Sequence, residues 1–336
     1  NAVQHTAIFA CALAAGLLSL SGQAAAQDLG AFPVDRERET PETDLITNAR
    51  LSTTSFGFLK LTSNARSAGM GDAYSSVGND ITAIYYNPAG ITQMETERAV
   101  QVGYAQWIVG SSLGTAAFAI KTPVAAFGVS AVFFSTEEFE ERTSSNPQGT
   151  GRMVKATDMA VGVTVAKQLT DKLSFGGQIR YIKEDLDLID FNTVDVNFGT
   201  LFFTGYKSTR LSMSLRNLGA DKEVVAQKAP MPTVFYIGGA AEVYGNLGDP
   251  LSITASVEQA FYTDYAARYY FGAEAWVNNI LALRAGWKTR HDSEDWSVGA
   301  GLKYEINGQV MNVDVSFSHA EAFDDNPLRL TVGYGF

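Results

Sequence analysis

The sequence predicts an all-β membrane protein: a 14-stranded antiparallel transmembrane β-barrel with a small N-terminal plug inside the lumen. Three observations support this prediction. From Arg98 onward, apolar and polar residues alternate in runs of about ten residues, the length that a tilted transmembrane strand needs. The connections between these runs alternate between short and long. The stretch from Phe58 to Met94 lacks the alternation and is rich in Gly, Ala, Ser and Asn.

The alternation is clearest in the last run. Leu330, Val332 and Tyr334 share one face, which we expect to meet lipid, while Arg329 and Thr331 share the other. Similar runs begin near residues 99, 113, 125, 156, 172, 193, 209, 232, 250, 267, 280, 294, 310 and 328. We therefore assign residues 98–336 to the barrel. The terminal Phe336 on this amphipathic strand is typical of the signal that directs barrel assembly.

The lengths of the connections favour a membrane barrel over a soluble β-sandwich. Those after every second run are short: around Pro123, then 170–171, 207–208, 245–249, 278–279 and 307–308. Asn307-Gly308 is the favoured pair for a two-residue type I′ hairpin. Most others are longer, namely 135–155, 184–192, 219–231 and 319–327. In outer-membrane barrels the short turns face the periplasm. Aromatic residues near the run ends, Trp107 and Trp276 among them, fit interfacial girdles.

The residues before the barrel divide into three parts. An apolar run from Ala7 to Leu20, followed by Ala24-Ala25-Ala26, predicts a signal peptide over residues 1–26. The only cysteine, Cys11, lies within it, and a lipoprotein modified at Cys11 is the alternative. Residues 27–57 are polar and predict a flexible periplasmic arm, with a docking peptide as the alternative. Residues 58–97 form the predicted plug.

The predicted plug combines small residues with turn formers. Gly69, Gly71, Gly78 and Gly90 can adopt positive φ, and Asn87-Pro88 initiates a turn. The ordered set Phe58-Leu59-Lys60, Ala65-Arg66, Gly69-Met70-Gly71, Ala73-Tyr74, Asn79-Asp80 and Asn87-Pro88-Ala89-Gly90 resembles the N-terminal signature of the PorV/PorQ family, within the FadL-like outer-membrane barrels. The motif residues taken over are Arg66, Gly69, Gly71, Asp72, Asn79, Asp80, Asn87, Pro88 and Gly90.

This resemblance implies an outer-membrane location and one of two functions. PorV-like members act in type IX secretion, where they accept cargo proteins from the translocon and deliver them to surface attachment machinery. FadL-like barrels instead admit long-chain fatty acids or other hydrophobic small molecules past an N-terminal plug. The expected partners are therefore outer-membrane lipid, a secretion translocon and its cargo proteins. The alternative partner is a hydrophobic small molecule.

The sequence offers little for catalysis. After residue 26 it has two histidines, His291 and His319, and neither has a second His or Cys at metal-ligand spacing. A Ser-His-Asp hydrolase is the alternative, but no local motif supports it. We expect no enzyme activity, no cofactor and no metal. The net charge of −11 argues against a nucleic-acid partner.

Charged residues fall on the predicted inward faces of the strands. Mixed charges suit a hydrated lumen and could hydrogen-bond the plug, and a ligand-binding or conducting path is the alternative. Acidic residues also cluster in the predicted outer loops, where we expect a solvated surface, with calcium binding as the alternative. The predicted lumen-facing residues are Arg180, Arg216, Glu258, Glu274, Arg284, Lys303, Asp314 and Arg329.

Overall fold

A computed structural model describes residues 54–62, 64–187, 189–224, 227–291, 293–320 and 325–336. The predicted signal peptide and residues 27–53 of the predicted arm lie outside the described residues.

Fourteen strands form one closed antiparallel barrel, in which each strand pairs with the next and the last pairs with the first. They are β1 (Arg98–Gln106), β2 (Ser112–Lys121), β3 (Ala126–Ser135), β6 (Thr157–Thr170), β7 (Leu173–Asp185), β8 (Asp190–Phe203), β9 (Arg210–Gly219), β12 (Val234–Tyr244), β13 (Leu251–Tyr262), β14 (Arg268–Val277), β15 (Leu281–Thr289), β16 (Trp296–Ile306), β17 (Gln309–Ser318) and β18 (Leu328–Gly335). Two small hairpins stand in the connections: β4 (Phe139–Glu140) with β5 (Met153–Val154), and β10 (Lys222–Val224) with β11 (Gln227–Ala229).

The prediction of a 14-stranded antiparallel barrel is confirmed, and period-2 burial explains why it succeeded. Leu330 and Val332 are 46% and 37% exposed, whereas Arg329 and Thr331, which alternate with them along the strand, are buried. The barrel closes where β1 pairs with β18, with Val102 opposite Val332. Asn307 and Gly308 both have positive φ, as a type I′ hairpin requires.

Two expectations about the wall were wrong. The connection predicted over residues 184–192 is shorter, because β7 and β8 continue as far as Asp185 and from Asp190 onward. Trp107 and Trp276 do not join an outward girdle. Trp107 is buried, and the guanidinium carbon of Arg329 lies 5.0 Å from the centroid of its ring. Trp276 lines an interior cavity.

Residues 54–62 and 64–97, called here the lumenal segment, lie inside the barrel. The segment contains the helix α1 (Ala65–Gly69) and the 3₁₀ helices Gly57–Lys60, Ile81–Tyr85 and Pro88–Gln93. The side chains of Asn64, Asp80 and Asn87 cap α1, Ile81–Tyr85 and Pro88–Gln93, respectively, by accepting backbone N–H hydrogen bonds. Helix α1 packs against β15 to β18, while Pro88–Gln93 packs against β6 to β8 on another part of the wall. A segment that contacts such different strands must occupy the lumen.

None of the helices among the described residues is long and apolar enough to cross a membrane.

Candidate functional site

The lumenal segment runs from one end of the barrel to the other. Thr54 Oγ1 donates to Asp264 Oδ2 at 3.0 Å, and Ser55 N donates to the carbonyl of Pro230 at 3.0 Å. Both partners belong to connections at the end opposite the short turns. At the other end, Lys303 Nζ contacts Glu95 Oε2 at 2.5 Å, close to the short turns. Residues 54–57 therefore lie at the end opposite to the one predicted for a periplasmic arm. A polar composition alone does not show from which side a chain enters a barrel.

A buried ionic network joins α1 to the wall. Arg66 Nε and Nη2 donate to the two carboxylate oxygens of Glu274 at 2.8 and 2.7 Å. Arg284 Nε donates to Glu274 Oε1, and its Nη1 donates to Asp314 Oδ1, both at 2.6 Å. The side chains of Arg66, Glu274, Arg284 and Asp314 are nearly free of solvent. Arg66 Nη1 also contacts Asp80 at 2.9 Å, and Asp80 is partly exposed. Two-pronged contact between a guanidinium and a carboxylate fixes orientation as well as position.

A second network holds the turn after α1. Asp72 has a positive φ of 63° and forms an ion pair with Lys288 at 2.5 Å. Lys288 also contacts Glu294 at 2.5 Å, and Arg329 Nη2 donates to Glu294 at 2.7 Å. Arg329 Nε in turn donates to the carbonyl of Thr62 in the lumenal segment at 3.2 Å. These contacts connect two places in the segment to one buried cluster.

Strands β6 to β8 hold the segment without ion pairs among the described residues. Asn87 Nδ2 donates to the carbonyl of Thr200 at 2.9 Å, and Gln178 Nε2 donates to the carbonyl of Ile84 at 3.2 Å. The backbone at Pro88 lies so close to the wall that a Cβ on Gly176 would stand 2.5 Å from it. Close backbone approach is a known use of glycine within strands.

Two further wall residues contact the segment, one on β13 and one on β9. Glu258 accepts hydrogen bonds from Ser75 N at 2.9 Å and from Ser75 Oγ at 2.6 Å. Arg216 stacks on Tyr236 with its guanidinium carbon 3.6 Å from the ring centroid, and Nη1 donates to the carbonyl of Tyr85 at 3.3 Å. Glu258 and Arg216 were both predicted to face the lumen, and both contact the lumenal segment.

Other predicted site residues have local partners. Asp80 contacts Arg66 and accepts from Tyr74 Oη at 2.8 Å, so among the described residues its charge is paired within the segment rather than with the wall. Asn79 Oδ1 also accepts from Arg66, at 2.9 Å. Arg180 pairs with Asp195 on the wall and does not join the networks around Arg66. The backbone of Phe336 pairs with that of Arg98 and helps to close the barrel.

Of the four glycines that could adopt positive φ, only Gly71 does so, with φ of 61°. Gly69 instead lets α1 approach the wall, because a Cβ there would lie 3.1 Å from Gly299 Cα. Gly78 and Gly90 lie against Ala83, where a Cβ would be 3.0 and 2.6 Å from its side chain. Three of these glycines are therefore required for packing rather than for a left-handed backbone.

The segment separates two cavities. The larger, of about 280 Å³, opens near the short turns and is lined by residues that include Met94, Trp276 and Arg284. The smaller, of about 60 Å³, lies towards the long connections among Tyr85, Tyr236 and other aromatic residues. Within the described part of the chain, no group of three His, Cys, Asp or Glu residues could hold a metal ion.

His291 lies beside this smaller cavity, in the connection between β15 and β16. Its Nδ1 accepts from Glu294 N at 3.3 Å. Burial, reinforced by the positive charges of Lys288 and Arg268, lowers the pKa of His291 to about 3. The ring is therefore neutral at physiological pH.

The sequence reasoning overlooked the inward-facing glycines of the wall. Gly176, Gly199, Gly272, Gly286 and Gly299 each face the backbone or a short side chain of the lumenal segment. A glycine at an inward position in the middle of an alternating strand is a detectable signal of close backbone approach. The loop residue Glu294 carries no comparable signal.

Comparison with known proteins gives a family and a fold. Residues 45–211, about half of the chain, match the family model described as "Type IX secretion system protein PorV". The Ralstonia pickettii toluene transporter TbuX has a similar structure, with a TM-score of 0.58 and 14% identity over 81% of this chain and 97% of that one. The Pseudomonas putida toluene transporter TodX gives 0.57 and 13%, over 81% and 97%. A Pseudomonas aeruginosa FadL homologue gives 0.53 and 12%, over 82% and 98%.

No curated protein sequence matches the chain. The structural likenesses, all at low identity, show the fold, and the family match agrees with the signature read between Phe58 and Gly90. Both findings confirm an outer-membrane location. The chain belongs to the PorV family of outer-membrane proteins and has the fold of FadL-type barrels.

Proposed function

We propose that this barrel is a protein-binding component of a type IX secretion system, a shuttle or receptor that receives cargo proteins from the translocon. The proposal includes no catalytic step. It rests on the family match and on one structural observation, the fastening of the lumenal segment by buried ion pairs. We propose that this segment is a plug that stays in place while proteins bind elsewhere on the barrel.

The energetics of the fastening support a permanent plug. Separating Arg66 from Glu274 would expose two charges that are now buried and hydrogen-bonded to each other. Breaking a buried pair by removing one partner costs roughly 3–5 kcal/mol. A second pair, between Asp72 and Lys288, would have to separate as well if the turn after α1 moved. A route for solutes that required this movement would be slow to open.

The alternative is a channel for hydrophobic small molecules. The aromatic cavity on the side of the long connections favours it, because Tyr85, Tyr236 and Tyr270 offer an apolar surface inside the lumen. The structurally similar TbuX and TodX are toluene transporters by description. Because their identity to this chain is only 14% and 13%, what they share with it is the fold.

Affinity purification of the native barrel from its own outer membrane tests the two proposals. The secretion proposal expects a large translocon barrel, or secreted proteins that share a C-terminal β-domain, to copurify in detergent. A barrel that emerges alone, with a fatty acid or another apolar molecule detected by mass spectrometry of the extract, would overturn it in favour of the channel.

The plug itself is tested by conductance in planar bilayers. Deleting residues 64–90 should convert a barrel of near-zero conductance into an open pore, because the deletion removes α1, the 3₁₀ helix Ile81–Tyr85 and the first half of Pro88–Gln93 from the lumen. The control is an equally folded full-length barrel from the same preparation. A folded deletion variant that stays closed would contradict the plug.

A further inference from the structure

The larger of the two lumenal cavities has features of a ligand site that the fastening of the lumenal segment does not explain. It has a volume of about 280 Å³ and opens near the short turns, which face the periplasm in outer-membrane barrels. Ligand pockets usually have volumes of roughly 300–1,000 Å³, so a small molecule would fill this one. The lumenal segment separates it from the smaller cavity, and a ligand would therefore enter from the periplasm.

Two buried donors in the lining have no hydrogen-bond partner among the described residues. They are Arg284 Nη2 and Ser252 Oγ. Arg284 and Ser252 are only 4% and 1% exposed. The other two nitrogens of the Arg284 guanidinium donate to Glu274 and Asp314, so Nη2 is the part of this group that the ionic network leaves free. A buried donor without a partner destabilises a fold, and a ligand oxygen that accepts from it removes this cost.

An indole ring stands between these donors. Trp276 lies on β14, between the strand of Ser252 and the strand of Arg284. Ser252 is its register partner on β13, and the guanidinium carbon of Arg284 is 5.7 Å from the centroid of its ring. Ile81 and Met94 of the lumenal segment add apolar surface to the same cavity. A flat apolar body can pack against this surface while its oxygen reaches a donor at the side.

The charges around the cavity favour a neutral ligand. Its cationic lining residues Arg66, Arg284 and Lys303 all form ion pairs with carboxylates of the barrel or the segment. Glu305, by contrast, is an exposed carboxylate of the lining without an ion-pair partner among the described residues. An anion in the cavity would therefore meet no free cation and one additional negative charge, which is unfavourable.

From this geometry we infer that the larger cavity binds a small neutral molecule with a carbonyl oxygen on a flat apolar body, taken up from the periplasm. The oxygen accepts hydrogen bonds from the free donors of Ser252 and Arg284, and the body packs on Trp276. This site is independent of the proposed secretion function. It is also separate from the smaller aromatic cavity on the side of the long connections.

Isothermal titration calorimetry of the intact barrel in detergent micelles tests the inference with three probes that share one ring. Benzamide carries a neutral carbonyl group, benzoate carries a charged one, and toluene carries none. Heats measured with empty micelles are subtracted for each probe. We expect benzamide to bind at least about fivefold more tightly than toluene or benzoate, the change that one neutral hydrogen bond produces.

Two substitutions at Ser252 connect the binding to this cavity. Ser252→Ala removes one donor and should weaken benzamide binding about fivefold. Ser252→Leu also fills part of the cavity and should abolish saturable binding. Ser297→Ala is the matched control, because the hydroxyl of Ser297 is equally buried and unpartnered among the described residues but does not line the cavity. This control should bind benzamide as the wild type does.

Toluene or benzoate that binds as tightly as benzamide would overturn the inference, and so would the absence of saturable benzamide binding. Benzamide binding that survives Ser252→Leu in a folded barrel would place the probe elsewhere and overturn it as well. If Ser252→Leu does not fold, the comparison of Ser252→Ala with Ser297→Ala decides. Only a loss of affinity confined to Ser252→Ala supports the site, and equal affinities of the two variants contradict it.

Discussion

The lumenal segment is held by two unlike walls. On one side, β14 and β15 offer Glu274 and Lys288, which form ion pairs with Arg66 and Asp72 of the segment. On the other side, β6 to β8 hold the segment through amide groups and through glycines that admit its backbone. Among the described residues, no ion pair links the segment to β6, β7 or β8.

The difference shows that two separate requirements must be met when an irregular segment is buried in a barrel. Charged pairs determine which residues meet, because an unpaired charge in a low-dielectric interior is costly. Glycines determine how closely two backbones can approach, because any side chain would overlap. Variants on each side should therefore fail in different ways.

The largest effect should come from the charged side. Glu274→Gln keeps the shape of the side chain but leaves Arg66 and Arg284 with one carboxylate fewer between them. We expect a loss of roughly 3–5 kcal/mol in the free energy that holds the segment in place. Urea titration in detergent micelles, followed by protease access to the segment, measures this loss. Glu305→Gln, at an exposed carboxylate on β16, is the matched control and should change stability by less than about 0.5 kcal/mol.

An equal effect of Glu274→Gln and Glu305→Gln would show that the buried network does not fasten the segment. The two walls would then hold it by similar means, and the comparison between them would fail.

On the neutral side the corresponding variant is Gly176→Ala. Its Cβ would lie 2.5 Å from backbone atoms of Pro88 and Ala89, so no side-chain rotation could relieve the overlap. We expect a cost near 3 kcal/mol, the upper part of the usual range of about 1–3 kcal/mol for overpacking. The segment should be displaced while the barrel stays folded, seen as new conductance in planar bilayers. Gly114→Ala, with open space around the added Cβ, should remain closed.

The parts of this structure that follow from local patterns were predictable. Alternation with period 2 located all fourteen strands, because each strand has one lipid face and one lumenal face. The small residues of the lumenal segment marked it as different from the wall. The alternation predicted that Glu274 faces the lumen. It could not predict the partner of Glu274, because Arg66 stands 208 positions earlier in the chain. Pairings over such distances depend on the register of the whole barrel.

The position of Thr54 could not be predicted for a related reason. The polar residues before it indicated an arm but carried no information about the side from which the chain enters. For the glycines of the lumenal segment, sequence alone does not separate a positive φ from a close contact. Gly69 shows the second case, since its neighbour Gly299 is distant in the chain.

A smaller effect should appear with pH on the charged side. His291 has a pKa of about 3 in the folded protein and an ordinary value of 6.5. The unfolded state therefore binds more protons between these values, so this contribution is fully present above pH 6.5 and falls as the pH decreases. At pH 5 the loss should be about 2 kcal/mol, from about 1.4 kcal/mol per pH unit.

The measurement compares wild type with His291→Asn by urea titration at pH 7 and pH 5. Carboxylates that titrate in both proteins cancel in the difference. A wild type that loses no more stability than the variant would show that the ring is already protonated or solvated in the folded barrel.

The smallest effect should come from an amide on the neutral side. Gln178 Nε2 donates to the carbonyl of Ile84 at 3.2 Å and to Thr164 Oγ1 at 2.9 Å, and Gln178 Oε1 accepts from Asn197 at 3.0 Å. Gln178→Leu removes these bonds without burying an unpaired charge. We expect the free energy of unfolding to fall by about 1–2 kcal/mol. The loss is modest because the hydroxyl and amide partners can reorient, whereas the Ile84 carbonyl stays unpaired. Urea titration under the conditions used for Glu274→Gln measures it, with Gln168→Leu on the exposed end of β6 as the control. A loss as large as that of Glu274→Gln would mean that hydrogen-bonded amides fasten the segment as firmly as buried charges, and that the two walls differ in chemistry but not in strength.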